Sequence, residues 1–499
     1  MADGNLNRSQ GVGKGLKILF VNGVLEGDFS AMDIGVSVLA SFVNATSRHR
    51  AAICDLTFHT WYWRRYLKAQ IETKQPDVIA LSCNTMYMKY VRAIVKEVRK
   101  ITPVPIVLGG HHATVAPEET FQIPGINAVI LGDGESSLVS YLDRLQTDGN
   151  FEGVTGLWVR LANGTQIRNE GVGYTANLDM LPWLDWDLWE DLDRYLYFFG
   201  MLYVLGSRGC PYSCTFCDAQ GYAGALKKAG RYFRLRSPEG FAQELAHYHE
   251  KYAHRGLRLF QIFDPVFTMD DRWLKAFCDE YQRLGLVDKI KFSAFSRIDH
   301  LNEDKIHLLA KSGCGLLRVG IESGDDHIRM DVFKKRISSN KIRTINELAK
   351  ANGINFTAFY IFGGPQETKK TFTETIKFAW ELDAARSAFF VYKPFTDAGR
   401  AQFEGTGGGV DEKRYKAANN ITWGGTTFGQ DWGPKTVEAY QFAAYGLTFG
   451  RRLIRMLARR RGEYFTALIP YMTKGIVAGL DWRYLLMYFH IYEGDNIDQ

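Results

Sequence analysis

Between residues 15 and 147, short apolar runs alternate with stretches of helical spacing. The runs are Leu16–Val21, Ala51–Leu56, Asp77–Cys83, Pro105–Gly109 and Ala128–Gly132, and helical spacing covers 33–47, 61–74, 86–100 and 134–146. Apolar runs of this length, bounded by turn residues, read as buried strands. Strand–helix alternation then predicts a doubly wound, five-stranded parallel sheet with helices on both faces. Ligands of such sheets sit at the carboxyl ends of the strands. Here those ends read Asn22-Gly23, Ser82-Cys83-Asn84-Thr85, Gly109-Gly110-His111-His112 and Gly132-Asp133-Gly134-Glu135-Ser136.

The rhythm then breaks. Asn163-Gly164, between the alternating residues 159–167, signals a hairpin, and Leu181–Trp189 carries three tryptophans. These are expected to pack two halves of the chain together; an aromatic floor for a ligand is the alternative. Alternation resumes with strand-like runs at Leu202–Gly206, Leu257–Phe263, Lys291–Phe295, Leu316–Ile321, Asn355–Phe362 and Ala388–Tyr392. One intervening helix opens at Ser237-Pro238-Glu239, a cap followed by proline in the first turn. Six βα units predict a partial (βα)6 barrel, whose chemistry belongs at the strand carboxyl ends. The expected organisation is a disordered lead-in (1–14), an N-terminal α/β domain (15–150), a linker with a hairpin (151–195), the barrel (196–400) and a mainly helical C-terminal region (401–499).

With 46% hydrophobic and 23% charged residues, the composition is that of an ordinary soluble globular protein. No run of eighteen apolar residues predicts a spanning helix, and residues 1–13 do not read as a signal peptide. Seven scattered cysteines argue against a disulfide framework and for a reducing cytoplasm. The net charge of +6 is too mild to indicate nucleic acid, and would favour an acidic electron donor.

Three of those cysteines stand in Gly209-Cys210-Pro211-Tyr212-Ser213-Cys214-Thr215-Phe216-Cys217-Asp218, a C-x3-C-x2-C spacing. A short loop of this kind can turn three thiolates toward one centre. Thiolates are the natural ligands of a four-iron cluster, and three of them leave one iron open for something other than protein. A zinc site would call for a fourth Cys or His nearby, and the next histidine is His247. Cys278 and Cys314 are too sparse for a second cluster. The motif resembles the signature of the radical S-adenosylmethionine superfamily. That resemblance implies a [4Fe-4S] cluster on Cys210, Cys214 and Cys217. It further implies S-adenosylmethionine on the open iron, and an adenosyl radical that removes hydrogen from a substrate.

The N-terminal loops are similar to those of cobalamin-binding domains that precede such barrels, above all Leu108–Glu119 (Leu-Gly-Gly-His-His-Ala-Thr-x-x-Pro-Glu-Glu) and Leu131-Gly132-Asp133-Gly134-Glu135. The resemblance implies a corrin held by Ser82, Thr85, Gly109, Gly110, His111, Gly132, Gly134 and Glu135. It departs in one respect: after the first strand the chain reads Gly27–Asp33 without an Asp-x-His-x-x-Gly motif, so no histidine from that loop would reach cobalt. A domain binding another nucleotide, or nothing, is the alternative. Adjacent His111 and His112 are expected to point different ways, and Cys54 and Cys83 to be small buried hydrophobes.

In the barrel, period-two geometry puts Arg318, Gly320 and Glu322 on one strand face. Buried charge there is costly unless it binds something polar; an internal ion pair is the alternative. By resemblance, Asp264, Arg297, Glu322, Ser323 and the backbone at Gly363 would hold S-adenosylmethionine. The basic stretch Arg451–Arg461 reads as a solvated helix covering the barrel mouth, or as a helix lying on a membrane surface. Taken together, the resemblance implies a cobalamin-dependent radical C-methyltransferase acting on an unactivated carbon of a small molecule, such as a natural product, lipid or tetrapyrrole. A flavodoxin- or ferredoxin-type donor would supply its electrons. A cobalamin-dependent enzyme that cyclises, oxidises or rearranges its substrate, and a non-catalytic cobalamin or redox sensor, stand as alternatives.

Overall fold

Five parallel strands, β1 (Lys17–Asn22), β2 (Arg50–Asp55), β3 (Val78–Ser82), β4 (Ile106–Gly109) and β5 (Ala128–Ile130), form the first sheet. The hairpin β6 (Leu157–Arg160) and β7 (Gln166–Arg168) does not stand apart in a linker. It adds two antiparallel strands at the β5 edge, giving the order β2-β1-β3-β4-β5-β6-β7. This computed structural model describes residues 14–459 except 24, 26–31, 228, 396 and 419–423, and not the side chains of 398, 449, 452, 453 and 455–459. The lead-in, most of the Gly27–Asp33 loop and the end of the basic stretch lie outside the described residues.

The period-two pattern sorts this sheet cleanly. Leu19, Val21, Ile79, Leu81, Ile106 and Leu108 pack into a core under the helices Trp63–Lys74 and Met88–Ile101, and Cys54 and Cys83 are buried there too. Phe20, Ile53, Ala80, Val107 and Ile130 face the other way, into a core that runs on without a break through the barrel's helical layer. The helix Ile34–Thr46 lies on that side, with the Asp33 carboxylate accepting from Val36 N at 3.0 Å as its cap. β5 ends two residues before expected. Gly132, at φ +81°, leaves the ladder and bridges Gly173 instead.

Residues 181–199 stitch the halves together. Trp186 and Trp189 are fully buried. Trp189 Nε1 donates to Ser37 Oγ at 2.9 Å on the first helix, and Leu184 N donates to Tyr248 Oη at 2.6 Å on a barrel helix. Trp183 stays partly exposed beside His247, ring centroids 5.2 Å apart.

The second sheet has six parallel strands: β8 (Met201–Val204), β11 (Leu259–Ile262), β12 (Lys291–Ser296), β13 (Cys314–Glu322), β14 (Asn355–Phe362) and β15 (Arg386–Val391). Between β8 and β11 sits a short antiparallel ribbon of β9 (Ser207–Arg208) and β10 (Arg234–Leu235). The six strands run in chain order from β8 to β15, the open barrel that the apolar runs predict. One of its two edges is β15, and the helix Pro434–Arg459 covers that edge: Gln441 Nε2 donates to Phe389 O at 2.7 Å, and Phe389 N donates to Tyr445 Oη at 3.0 Å. The basic helix therefore lies along the flank and not over the mouth. Arg451 sits 4.4 Å from the Trp380 ring centre and donates to Trp380 O at 2.6 Å. Among the described residues no helix is long and apolar enough to cross a membrane.

Trp189→Ala removes a fully buried indole and its hydrogen bond at the seam. It should lower stability by roughly 3–5 kcal/mol, read as a lower urea midpoint with the folded far-ultraviolet spectrum retained at zero denaturant.

Candidate active site

The strand ends of the two sheets face each other across one cavity of about 370 Å³. Its N-terminal wall includes Ser82, Gly109, Gly110, His111, Gly132, Gly134 and Glu135 over an apolar floor of Phe20, Ala80, Val107 and Ile130. Its barrel wall includes Arg208, Gly209, Tyr222, Tyr232 and Phe263. A glycine-rimmed, apolar-floored space suits a broad planar ligand, because a side chain at the rim would intrude. A Cβ at Gly110, already at φ +96°, would press on Cys83 N and Ser82 Oγ at 3.1 Å. Seven of the eight residues expected to touch a corrin line this cavity. Thr85 does not. Its hydroxyl pairs with His112 Nδ1 at 3.1 Å, holding a buried histidine whose pKa burial lowers. His111 turns the other way, stacked on Tyr222 with centroids 5.0 Å apart and its Nε2 3.2 Å from Asp218 Oδ2.

Glu135 lines the cavity, yet its carboxylate is engaged elsewhere. Glu135 Oε1 accepts from Arg208 Nη2 at 2.6 Å, and Glu135 Oε2 from Thr175 Oγ1 at 3.2 Å. The neighbouring Asp133 faces Arg208 Nη1 at 3.2 Å and accepts from Arg234 Nη1 at 2.6 Å. Two carboxylates of the first domain and two guanidiniums of the β9–β10 ribbon thus form one alternating cluster. Three of the four side chains are at most 5% exposed. The sequence pointed to this loop for ligand binding. It offered no sign that Arg208, two residues before Cys210, and Arg234, far beyond it, would meet there.

The cysteine loop follows directly. Cys214 is buried and Cys210 and Cys217 are half-buried. Burial raises the Cys210 pKa and pushes Cys217 up to about 12, Asp218 adding to the latter. Such thiols become thiolates only beside compensating positive charge, and the residues present fit a cationic cluster in that respect. Arg297 supplies some of that charge: its Nη1 donates to Cys214 Sγ at 3.2 Å, its other nitrogens grip Asp299 at 2.8 and 3.0 Å, and its guanidinium lies 3.7 Å from the Tyr212 ring centre. Among the described residues no three Cys, His, Asp or Glu side chains are close enough to share a single ion. A four-iron cluster instead takes its thiolates at separate corners.

At the end of β13, Glu322 is buried in the left-handed region at φ +71°, just past a shift in register against β14. Backbone held this way by a non-glycine residue is strained, and such strain concentrates at functional sites. Its Oε1 accepts from buried Lys335 Nζ at 2.7 Å. Lys335 lies close enough to Cys210 for its charge to lower that thiol's pKa. The structure thus gives Glu322 an internal ion pair, with Lys335 as its partner, at the strand end beside the cysteine loop. Sequence reasoning passed over Lys335 because Lys334-Lys335-Arg336 reads as surface charge; only the fold brings it back to Glu322. A Cβ at Gly320 would displace both partners of that pair.

Three expected contacts for S-adenosylmethionine are engaged structurally. Ser323 Oγ turns into the helical layer, 3.2 Å from Thr375 Oγ1. Asp264 Oδ1 accepts from Gly206 N at 2.8 Å, joining the ends of β8 and β11, and burial pushes its pKa up to about 7. Gly363, at φ +90°, donates its N–H to Glu367 Oε2 at 2.8 Å while its carbonyl accepts from Thr427 Oγ1 at 2.7 Å.

Glu367 also accepts from Gly364 N at 2.8 Å, and burial raises its pKa from 4.5 to about 8. The folded chain then keeps a proton that the unfolded chain releases, so this residue makes stability fall as pH rises from about 4.5 towards 8. Glu367→Gln, which retains an oxygen acceptor, should flatten that fall, as urea midpoints measured across the window will read. Arg208→Met takes from buried Glu135 its guanidinium partner and leaves Asp133 with Arg234 alone. It should cost on the order of 3–5 kcal/mol, with Arg208→Lys intermediate, read by the same denaturation.

Comparison with known proteins agrees with both halves. The family model for the B12 binding domain matches residues 20–142, and that for the radical SAM superfamily matches residues 204–379. An uncharacterized methyltransferase, PH0819, of Pyrococcus horikoshii is 29% identical over 373 residues, covering 72% of this chain and 76% of that protein. The anaerobic magnesium-protoporphyrin IX monomethyl ester cyclase of Cereibacter sphaeroides is 27% identical over 346 residues, covering 66% of this chain but 54% of the cyclase. Among solved structures, the radical S-adenosylmethionine methyltransferase TsrM of Kitasatospora setae, with tryptophan and a SAM analogue bound, shares the fold. Its TM-score is 0.62 at 19% identity, covering 76% of this chain and 75% of that one. Two matched domains whose strand ends share one cavity give the family: the chain belongs to the cobalamin-dependent radical S-adenosylmethionine enzymes.

Proposed function

We propose that this enzyme transfers a methyl group from S-adenosylmethionine, by way of cobalamin, to an unactivated carbon of a small molecule. The observation that carries this reading is the shared cavity, walled on one side by the glycine-rich loops and on the other by Gly209, the residue before Cys210. An sp3 carbon is no nucleophile, so a methyl donor and a hydrogen-abstracting centre must reach the same atom from within one dry space. When bound, the cluster supplies the electron that cleaves S-adenosylmethionine and the corrin carries the methyl group.

The chain's own residues do the rest. Cys210, Cys214 and Cys217 hold the cluster, and Arg297 stabilises the Cys214 thiolate by a charge-assisted hydrogen bond. Glu322 and Lys335 present a carboxylate and an ammonium beside the cysteine loop, complementary to the amine, carboxylate and hydroxyls of S-adenosylmethionine. Ser82, Gly109, Gly110, His111, Gly132 and Gly134 form the corrin's bed, and Glu135 holds that bed against the barrel. All seven cysteines are free, which accords with a reducing cytoplasm; a flavodoxin- or ferredoxin-type protein would deliver the electrons. The similarity to the cyclase of Cereibacter sphaeroides favours, as a second reading, a radical reaction on the substrate without methyl transfer.

Anaerobic reconstitution with iron, sulfide and hydroxocobalamin should yield one cluster and one cobalamin per chain. The electron paramagnetic resonance spectrum of the bound cob(II)alamin should lack nitrogen splitting from a histidine below cobalt. With methyl-labelled S-adenosylmethionine and a cell extract, label should enter a small-molecule product, and Cys214→Ala should abolish both cluster and product. Deoxyadenosine release without label incorporation would move the assignment to the second reading.

A further inference from the structure

Alternate residues of the barrel strands face opposite ways, and their environments separate cleanly. Phe292, Tyr360, Phe362 and Phe389 pack outward against helices: Phe292 meets Phe277 and Tyr281 at 5.8 and 5.3 Å, Phe362 meets Phe372 at 5.5 Å, and Phe389 meets Tyr445 at 5.2 Å. Their sequence neighbours of opposite parity look into the barrel. There Phe263, Phe295, Phe359 and Phe390 form a continuous band across β11 to β15, with successive ring centroids 5.1, 5.9 and 5.6 Å apart. The contact between Phe295 and Phe359 crosses β13 beside Gly320, which pairs with Phe359, while Arg318, which pairs with Phe295, holds its guanidinium 5.9 Å from the Phe295 ring centre.

These four rings are not core. They belong to neither packed hydrophobic cluster; three are partly exposed and Phe263 is 44% exposed. Contiguous apolar surface of this kind, set in a concave wall, marks a ligand site more often than a packing defect. The band joins the rest of the site at both levels. Phe263 is itself part of the wall of the 370 Å³ cavity, and Phe359 pairs in register with Gly320, beneath the Glu322–Lys335 pair.

We propose that the substrate is a lipophilic small molecule whose extended, ring-bearing apolar skeleton lies along Phe263, Phe295, Phe359 and Phe390, with its reacting end at Phe263, where the band meets the cavity. The proposal rests on the reading of this cavity as the reaction space, and it deepens that reading by naming a substrate class. Sugars, peptides and polar amino acids do not match the wall: each would strip water from polar groups over four rings that return no hydrogen bond.

The test is equilibrium dialysis of the reconstituted holoenzyme against pyrene-1-butyrate, with free tryptophan as a smaller and more polar probe. Pyrene-1-butyrate should bind saturably at one per chain, and tryptophan at least tenfold more weakly. Phe295→Ser and Phe359→Ser, at partly exposed positions outside the wall of the corrin cavity, should each weaken pyrene-1-butyrate at least tenfold with cluster and cobalamin content unchanged. Phe442→Ser, on the solvent face of the last helix, should bind as the parent protein does. Absence of saturable binding, or equal binding by Phe295→Ser, Phe359→Ser, Phe442→Ser and the parent, would overturn the proposal. Dialysis needs no turnover, so these outcomes stand apart from the label-incorporation test of methyl transfer.

Discussion

The cluster of Asp133, Glu135, Arg208 and Arg234 is what makes one site out of two sheets. A doubly wound sheet and an open barrel each bind ligands at their strand carboxyl ends, but nothing in either fold aims those ends at each other. Four alternating charges do so here, from the loop after β5 to the ribbon that brackets the cysteine loop. Buried as they are, each charge is tolerable only while its partners stay in place. The cluster therefore penalises any sliding of one domain over the other. That geometry keeps the glycine-rich loops and the cysteine loop at a set separation across the cavity.

The remainder of the seam is apolar and undirected. Trp186, Trp189 and the residues around them bury a large surface, which supplies affinity between the halves but little orientation. Orientation comes from the few polar links within it, such as Trp189 to Ser37 and Leu184 to Tyr248. A similar division of labour holds inside the barrel. Phenylalanines face outward to fix the helices and inward to leave an open apolar wall, and only the parity of a residue along its strand decides which.

Much of the architecture was legible in the chain because its signals are local. Apolar runs and helical spacing placed the strands of both sheets within one or two residues, since period-two and period-3.6 patterns report burial directly. The cysteine loop was legible for another reason: three thiolates at short spacing are confined by the loop itself, whatever surrounds them. The separation of His111 from His112 followed equally from adjacency, and their partners, Asp218 and Thr85, lie on opposite sides.

What the sequence by itself determined, then, was the two domain types, the strand ends that meet at the cavity and the three-cysteine loop beside it. Tertiary structure alone decided which polar residues were spent on holding the site and which were left to serve it. Thr85, Ser323 and Asp264 satisfy buried partners at short range, while Lys335 and Arg208, which read as ordinary surface charge, close buried ion pairs across 13 and 73 residues of chain. A buried polar atom takes the partner that the fold brings within about 3 Å, and that distance between segments remote in sequence is set by the packing of whole sheets, not by any pattern along the chain.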